Sequence, residues 1–163
     1  MEKEPIFFVD DDSPDHTADE IRRMQRVDSQ IHLMARPAKG GYGSACRDAM
    51  ATILRENLAD YTIQSDADLS HPPELLPLMI DMLNVHPVVI GSGYVAGGGT
   101  QGWNTPRRLL NFGANFYARA LTGVPVHDMN AGFVGYQADV LRRINLGDIR
   151  SEGYAFLMEM KFS

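Results

Sequence analysis

The strongest constraint on the fold is a repeated pattern in which a short apolar run ends in acidic residues. Residues 6–9 run into three aspartates at positions 10–12, and residues 61–65 run into Asp66 and Asp68. Both runs have the length of buried strands rather than of helices. Apolar residues recur at helical spacing in the segments between them. Strands that alternate with helices predict an α/β domain with a mostly parallel sheet.

The predicted elements continue along the whole chain, so we expect residues 1–163 to form a single domain. Ser44 is placed to cap the helix that follows it. In open α/β sheets, ligands bind beyond the carboxyl ends of the strands, so we expect both acidic clusters to lie at one edge. The predicted strands are 6–9, 31–35, 61–65, 87–91 and 132–136, and the predicted helices are 18–27, 45–57, one opened by Pro72 and Pro73, 106–121 and 138–144.

Charge and composition exclude several classes of protein. The formal net charge of −6 argues against a nucleic-acid partner, which requires a basic surface. The only cysteine, Cys46, allows no intramolecular disulfide and fits a reducing compartment. No apolar run approaches the roughly 18–20 residues of a membrane span, so we expect a cytoplasmic domain. An acidic chain that handles phosphates needs a metal, a few placed cations or backbone N–H groups.

The sequence Asp66-Ala67-Asp68 is the sharpest chemical signal. Two carboxylates two residues apart at a strand end can converge on one hard divalent cation. Mg²⁺ or Mn²⁺ bound there would neutralise a leaving diphosphate. The alternative is a solvated acidic turn. We expect His71, five residues after Asp66, to be structural rather than a metal ligand.

Four weaker signals accompany this one. The aspartates at 10–12 can accept hydrogen bonds from a base or from ribose hydroxyls, or can simply form an acidic loop. The glycines at 40–43, preceded by Lys39, can bring backbone N–H groups to a phosphate or ribose, or can form a plain loop. Arg107 can clamp a diphosphate, or can lie at a solvated helix start. Asp128, close to the turn at Gly132, can orient a sugar or acceptor.

Taken in order, these segments resemble the dolichyl- and polyprenyl-phosphate mannosyltransferases, which are family-2 glycosyltransferases with a GT-A fold. The resemblance spans nearly the whole chain, and its most specific part is the string at 66–74. The matching strings are Val-Asp-Asp-Asp-Ser-Pro-Asp at 9–15, Gly-Tyr-Gly-Ser-Ala at 41–45, Asp-Ala-Asp-Leu-Ser-His-Pro-Pro-Glu at 66–74, Ile-Gly-Ser at 90–92, Tyr-Val-Ala-Gly-Gly-Gly at 94–99, Gly-Trp at 102–103 and Gly-Ala-Asn-Phe at 113–116.

The resemblance implies a Rossmann-like three-layer sandwich and a metal-dependent transfer of a hexose, with inversion, to a polyprenyl or dolichyl phosphate. The donor it favours is GDP-mannose. The lipid phosphate is the nucleophile and is already ionised at neutral pH, so no protein base is required. The implied site residues, with Lys39 added from the glycine loop, are Asp10, Asp11, Lys39 and Asp66 for the nucleotide sugar, Asp66 and Asp68 for Mg²⁺ or Mn²⁺, and Asp68, Arg107 and Asp128 for the transfer.

The chain also departs from the family pattern. No counterpart of the family's first strand precedes residue 5, and the chain stops at Ser163, before a basic stretch that usually contacts the lipid phosphate. We therefore expect a domain incomplete at both ends, with exposed sheet edges open to self-association. Gly93 replaces a usual arginine, and His16 replaces a usual glycine. The implied lipid acceptor is compatible with peripheral binding of the domain to the cytoplasmic face of a membrane.

Three alternatives stay open from the sequence. A UDP-glucose-dependent glucosyltransferase acting on the same kind of lipid has the same signals. A non-catalytic nucleotide-sugar-binding module fits Gly93 and the early end of the chain. A receiver-type signalling domain shares the apolar strand that ends in aspartates, but it needs a phosphoacceptor aspartate and a late strand-end lysine at spacings that this sequence lacks.

Overall fold

The computed structural model describes residues 4–93 and 128–162. This part of the chain contains five strands and five α-helices, and strands and helices alternate over residues 6–90 as the sequence pattern predicts. In chain order the elements are β1 (Ile6–Asp10), α1 (Thr17–Gln25), β2 (Ile31–Ala35), α2 (Tyr42–Glu56), β3 (Tyr61–Gln64), a 3₁₀ turn (Pro73–Leu75), α3 (Leu76–Leu83), β4 (Val88–Ile90), β5 (Val134–Gln137), α4 (Ala138–Arg143) and α5 (Gly153–Met160).

Strands β1 and β2 form a parallel pair. Ile6 lies opposite Ile31 and Asp10 lies opposite Ala35, so both strands end at the same edge. The backbone N–H of Arg36 continues the ladder by donating to the Asp10 carbonyl at 2.9 Å. The loops that follow the two strands therefore meet at one edge, where the sequence predicts a site.

Strands β3, β5 and β4 form a second sheet in that order. The central strand β5 is antiparallel to both neighbours, so β3 and β4 run in the same direction. The predicted strand at 132–136 is thus present, but its antiparallel direction could not be inferred from a short apolar run. Among the described strands, β1 pairs only with β2 and β3 pairs only with β5.

The core lies on both faces of β5. Side chains alternate along a strand, so Val134 and Tyr136 share one face while Gly135 faces the other. A Cβ atom at Gly135 would lie 2.8 Å from Leu83 of α3, so the glycine lets that fully buried leucine pack directly on the strand. Helices thus cover both faces, which gives the predicted layered arrangement. The cluster on the first face comprises Met50, Val134, Tyr136, Leu141, Ile144, Ile149, Phe156, Leu157 and Met160.

The structure corrects one predicted helix cap and adds one helix that the sequence did not predict. Helix α2 begins at Tyr42, with Gly41 as its N-cap at a φ of 95°, so Ser44 lies inside the first turn and its predicted capping role is wrong. Helix α5 was not predicted, because its eight residues form a short, mostly apolar run that begins at Gly153 and shows no clear helical spacing. The predicted helix at 106–121 lies outside the described residues.

Candidate functional site

A chain of contacts joins the acidic loop after β1, the glycine loop before α2, the acidic loop after β3 and the segment before β5. Asp11 binds the glycine loop, Tyr42 at the start of α2 reaches Asp66, and His71 stacks on Phe133. Four of the five predicted signals are therefore neighbours. The fifth, Arg107, lies outside the described residues.

The carboxylates of Asp10 and Asp11 accept hydrogen bonds from backbone groups of the protein itself. Asp10 is buried, with 6% of its surface exposed, and one carboxylate oxygen accepts from the backbone N–H of Ser13 at 3.3 Å. Asp11 accepts from the N–H groups of Gly40 at 3.0 Å and Gly41 at 2.8 Å. It also pairs with the Arg36 guanidinium. The Gly40 N–H is the largest cause that holds the pKa of Asp11 below its ordinary value, so this carboxylate is ionised at neutral pH.

The glycine loop is held by carboxylates at both ends. Beyond the two amides bound by Asp11, the N–H groups of Gly43 and Ser44 donate to Glu152 Oε2 at 2.8 and 3.2 Å. Glu152 also pairs with Arg47 at 2.9 Å. Protein carboxylates thus bind all four of these amides, and contact of the glycine loop with a phosphate or ribose stays a prediction. Lys39, within the same loop, is exposed.

Arg36 was not singled out from the sequence. Its guanidinium bridges Asp11, the Ser44 hydroxyl and Asp48. Only 13% of its side chain is exposed. Its position directly after β2, opposite the acids that follow β1, is the signal that could have identified it.

Asp66 and Asp68 lie in the exposed loop after β3. The Tyr42 hydroxyl contacts Asp66 Oδ1 at 3.4 Å, and Asp68 Oδ1 accepts from the Ser70 N–H at 2.9 Å. Hydrogen bonds from Ser70 lower the pKa of Asp68, so it is a carboxylate at neutral pH. Leu69, between Asp68 and Ser70, has a φ of 63°, a left-handed conformation that is costly for leucine.

His71 closes this loop through a hydrogen bond and a ring contact. Its Nδ1 accepts from the Asp66 backbone N–H at 3.0 Å. Its ring stacks on Phe133, with centroids 5.1 Å apart and an interplanar angle of 11°. A Cβ atom at Gly132 would lie 3.4 Å from the imidazole Cε1 and 3.7 Å from Asp66 Oδ2. The segment before β5 therefore lies against the Asp66–Asp68 loop.

Asp128 begins that segment and is buried, with 7% of its surface exposed. Ser92 Oγ donates to its carboxylate at 3.0 Å. Lys161, not singled out from the sequence, donates through Nζ to the carbonyls of Met129 at 2.8 Å and Ala131 at 2.9 Å. Burial lowers the pKa of Lys161 to about 8, although the charge of Asp128 opposes that shift.

The donor set at Asp66 and Asp68 fits a divalent cation that is shared with a ligand. Within residues 4–93 and 128–162, no cluster of three or more His, Cys, Asp or Glu side chains is arranged to hold a metal ion. Mg²⁺, however, is usually bound by one or two carboxylates, with substrate phosphates and water completing the shell. Two exposed carboxylates in one loop match that mode, and a closed protein cage does not.

The part of the chain that the structure describes has no helix that is both long and apolar enough to cross a membrane.

The site is built from short loops at the ends of β1, β2 and β3 and from the segment before β5. It combines an internally neutralised acidic loop with a second acidic loop that remains open to ligand.

Comparison with known proteins supports the resemblance. Residues 2–144 match the model of the family "Glycosyl transferase family 2". The chain is 36% identical over 157 residues to undecaprenyl-phosphate mannosyltransferase of Micrococcus luteus, covering 96% of this chain and 64% of that protein. It is also 36% identical to polyprenol monophosphomannose synthase of Mycolicibacterium smegmatis, covering 95% of this chain and 59% of that protein.

A eukaryotic relative shows the same extent of match. The chain is 31% identical over 159 residues to dolichol-phosphate mannosyltransferase of Saccharomyces cerevisiae, covering 97% of this chain and 57% of that protein. It thus spans between 57% and 64% of the length of these three relatives. The chain belongs to glycosyl transferase family 2, and its α/β architecture is the GT-A fold of that family.

Proposed function

We propose that this chain is the catalytic domain of a mannosyltransferase that uses GDP-mannose and a polyprenyl phosphate. The names of the three relatives describe mannosyl transfer to undecaprenyl phosphate, polyprenol phosphate or dolichol phosphate. The relatives share between 31% and 36% of their aligned residues with this chain, over almost its full length. Residues 1–163 are proposed to act as one domain.

The observation that carries the proposal is the open acidic loop after β3. Asp66 and Asp68 are exposed, whereas the acids after β1 are largely occupied by protein donors. Family-2 glycosyltransferases commonly use divalent metal ions. We assign Mg²⁺ or Mn²⁺ to Asp66 and Asp68, where the cation would neutralise negative charge on the departing diphosphate.

The remaining residues are assigned by their position around that loop. Asp10 and Asp11 border the nucleotide, and Asp11 acts by fixing the loop that presents Lys39. Asp128 begins the segment whose Gly132 lies against the Asp66–Asp68 loop, and it is proposed to face the sugar and the acceptor. Arg107 is proposed to contact the diphosphate or the lipid phosphate.

The proposed transfer depends on the positioning of the two substrates rather than on a general acid or base of the protein. A phosphate oxygen of the lipid attacks the anomeric carbon as the bond from that carbon to the β-phosphate oxygen of GDP breaks. GDP leaves, and the configuration at the anomeric carbon inverts. Because the lipid phosphate is already an anion, rate acceleration comes from alignment and from stabilising the charge that develops on the leaving group.

The lipid acceptor places the proposed reaction at a membrane surface. We propose a peripheral contact at the cytoplasmic face of the membrane, and self-association through the edges of β1 and β3, which carry one described partner strand each. Sedimentation with vesicles that contain the acceptor tests the membrane contact. Sedimentation velocity in buffer tests the self-association, and a purely monomeric chain would remove it.

Titration with GDP-mannose, with and without Mn²⁺, is the first test, followed by transfer of labelled mannose to polyprenyl phosphate in detergent. We expect tighter binding with Mn²⁺ and a labelled, lipid-soluble product. UDP-glucose in place of GDP-mannose is the matched donor control, and preferential binding of UDP-glucose would assign the glucosyl donor instead. Binding of GDP-mannose without any transfer would indicate a nucleotide-sugar-binding module.

A further inference from the structure

Tyr42 connects the start of α2 to the acidic loop after β3. Its ring packs edge-on against Phe156, with centroids 6.1 Å apart and an interplanar angle of 80°. Its hydroxyl accepts from Gln64 Nε2 at 2.6 Å and contacts Asp66 Oδ1 at 3.4 Å. Since Gln64 supplies a hydrogen, the hydroxyl hydrogen of Tyr42 is available to Asp66.

His71 approaches Asp66 from the main-chain side. A backbone N–H can only donate, so the 3.0 Å contact from the Asp66 amide requires His71 Nδ1 to be an unprotonated acceptor. The ring hydrogen is then on Nε2. Stacking on Phe133 fixes the plane of the ring, so the acceptor is held in place from β5.

These two contacts leave one part of Asp66 unused. Its amide is bound by His71 and its Oδ1 by Tyr42, but Oδ2 has no hydrogen-bond donor among the described residues. Gly132 lies beside Oδ2, because a Cβ atom built on this glycine would be 3.7 Å from that oxygen. Since glycine has no side chain, it leaves the space beside Oδ2 unfilled. The carboxylate is therefore restrained at one oxygen and open at the other.

We propose that Tyr42 and His71 are positioning residues that hold Asp66 in its metal-binding conformation, which leaves Oδ2 for the cation. This inference rests on the proposed function, because it assumes that Asp66 binds Mg²⁺ or Mn²⁺. Neither residue touches the reacting atoms. Partners that orient a metal ligand commonly change metal affinity by roughly 10- to 100-fold when they are removed.

Two near-isosteric substitutions test the inference, each with a matched control. Tyr42→Phe removes the hydroxyl and keeps the ring against Phe156. Its control is Tyr61→Phe on β3, whose hydroxyl donates to Asn84 at 2.8 Å, away from the site. His71→Phe keeps an aromatic ring for Phe133 and removes the acceptor. Its control is His32→Phe on β2, whose ring stacks on Phe7 at 6.1 Å.

The first readout needs no metal and no activity. Hydrogen exchange of the Asp66 amide, followed by NMR in the metal-free chain, should accelerate roughly 10-fold in His71→Phe, because the amide loses its acceptor. His71→Asn should restore slow exchange, since the asparagine oxygen takes the place of Nδ1. The nitrogen chemical shifts of His71 should report the tautomer with hydrogen on Nε2.

The second readout is Mn²⁺ affinity, measured by calorimetry in the presence of GDP. We expect a loss of roughly 10-fold for each of Tyr42→Phe and His71→Phe. Wild-type affinity is expected for the Tyr61→Phe and His32→Phe controls and near-wild-type affinity for His71→Asn. The two losses should not simply add in the double variant, since both act through one carboxylate.

The possible outcomes separate this inference from the proposed function. If the unsubstituted chain binds neither Mn²⁺ nor GDP-mannose, the proposed function fails and this inference fails with it. If the unsubstituted chain binds both, and Tyr42→Phe and His71→Phe match their controls in amide exchange and Mn²⁺ affinity, only the inference is overturned. Equal losses in the controls would also overturn it, because they would show a general effect of the substitutions.

Discussion

The two acidic loops of this protein look alike in sequence and differ in what surrounds them. Each follows an apolar strand, β1 or β3. After β1, Asp10 closes a turn with Ser13, and Asp11 binds two backbone amides and a guanidinium that is 13% exposed. After β3, Asp66 and Asp68 are exposed and have few partners. An acidic cluster whose charge is neutralised internally stabilises a loop, whereas one left open can hold a cation.

The largest effect should come from Asp68→Ala. If the β3 loop is the ligand-binding one, the metal-dependent part of GDP-mannose binding should vanish, while the unfolding transition should stay unchanged because Asp68 is exposed. Calorimetry with and without Mn²⁺, together with urea unfolding, measures both. Asp81→Ala, at an exposed acid of α3, is the control. Unchanged metal-dependent affinity in Asp68→Ala would remove Asp68 from the metal site.

Asp11→Asn should show the opposite behaviour. It removes a charge that Arg36 and two amides require, and hydrogen bonds to charged groups contribute about 1.5–3 kcal/mol. We expect a loss of about 2 kcal/mol in the free energy of unfolding. Asp12→Asn is the control, because Asp12 is exposed in the same loop and asparagine tolerates its φ of 60°. Equal stability of the two variants would show that Asp11 is not structural.

The contribution of the Asp11 carboxylate to the free energy of unfolding should also depend on pH. The pKa of Asp11 is lowered on folding from 3.8, first by the Gly40 N–H. Its stabilising effect is therefore fully present above that ordinary value and is lost as the pH falls through the lower, folded pKa. The difference in unfolding free energy between the wild type and Asp11→Asn should be constant near neutral pH and should shrink below about pH 4. A constant difference at acid pH would contradict this assignment.

The smallest effect is expected from Glu152→Gln, which weakens the hold on the other end of the glycine loop. N-terminal caps contribute about 0.5–2 kcal/mol. The Glu152 side chain is 43% exposed, so solvent screening reduces its effect. We expect a loss of about 0.5 kcal/mol in the free energy of unfolding and no change in Mn²⁺ affinity. A larger effect on Mn²⁺ affinity than on stability would place Glu152 in the ligand site.

Much of the fold could be predicted because its signals are local. The strands at 6–9, 31–35, 61–65 and 87–91 and the helices between them follow from apolar spacing and chain punctuation, which act over a few residues. The direction of β5 and the existence of α5 could not be predicted, because both depend on what the segments pack against. The position of Asp66 and Asp68 after β3 is confirmed, while their binding of a cation stays a prediction.

The sequence by itself determined the α/β class, the placement of the acids at strand ends and the family. Only the tertiary structure decided which acids are free to bind a ligand. Arg36 reaches Asp11 across 25 residues of chain, and Glu152 reaches the amide of Gly43 across 109. Such pairings depend on charges and donors brought together by folding. No local pattern could therefore show that Asp11 is occupied by protein groups while Asp66 keeps an open oxygen.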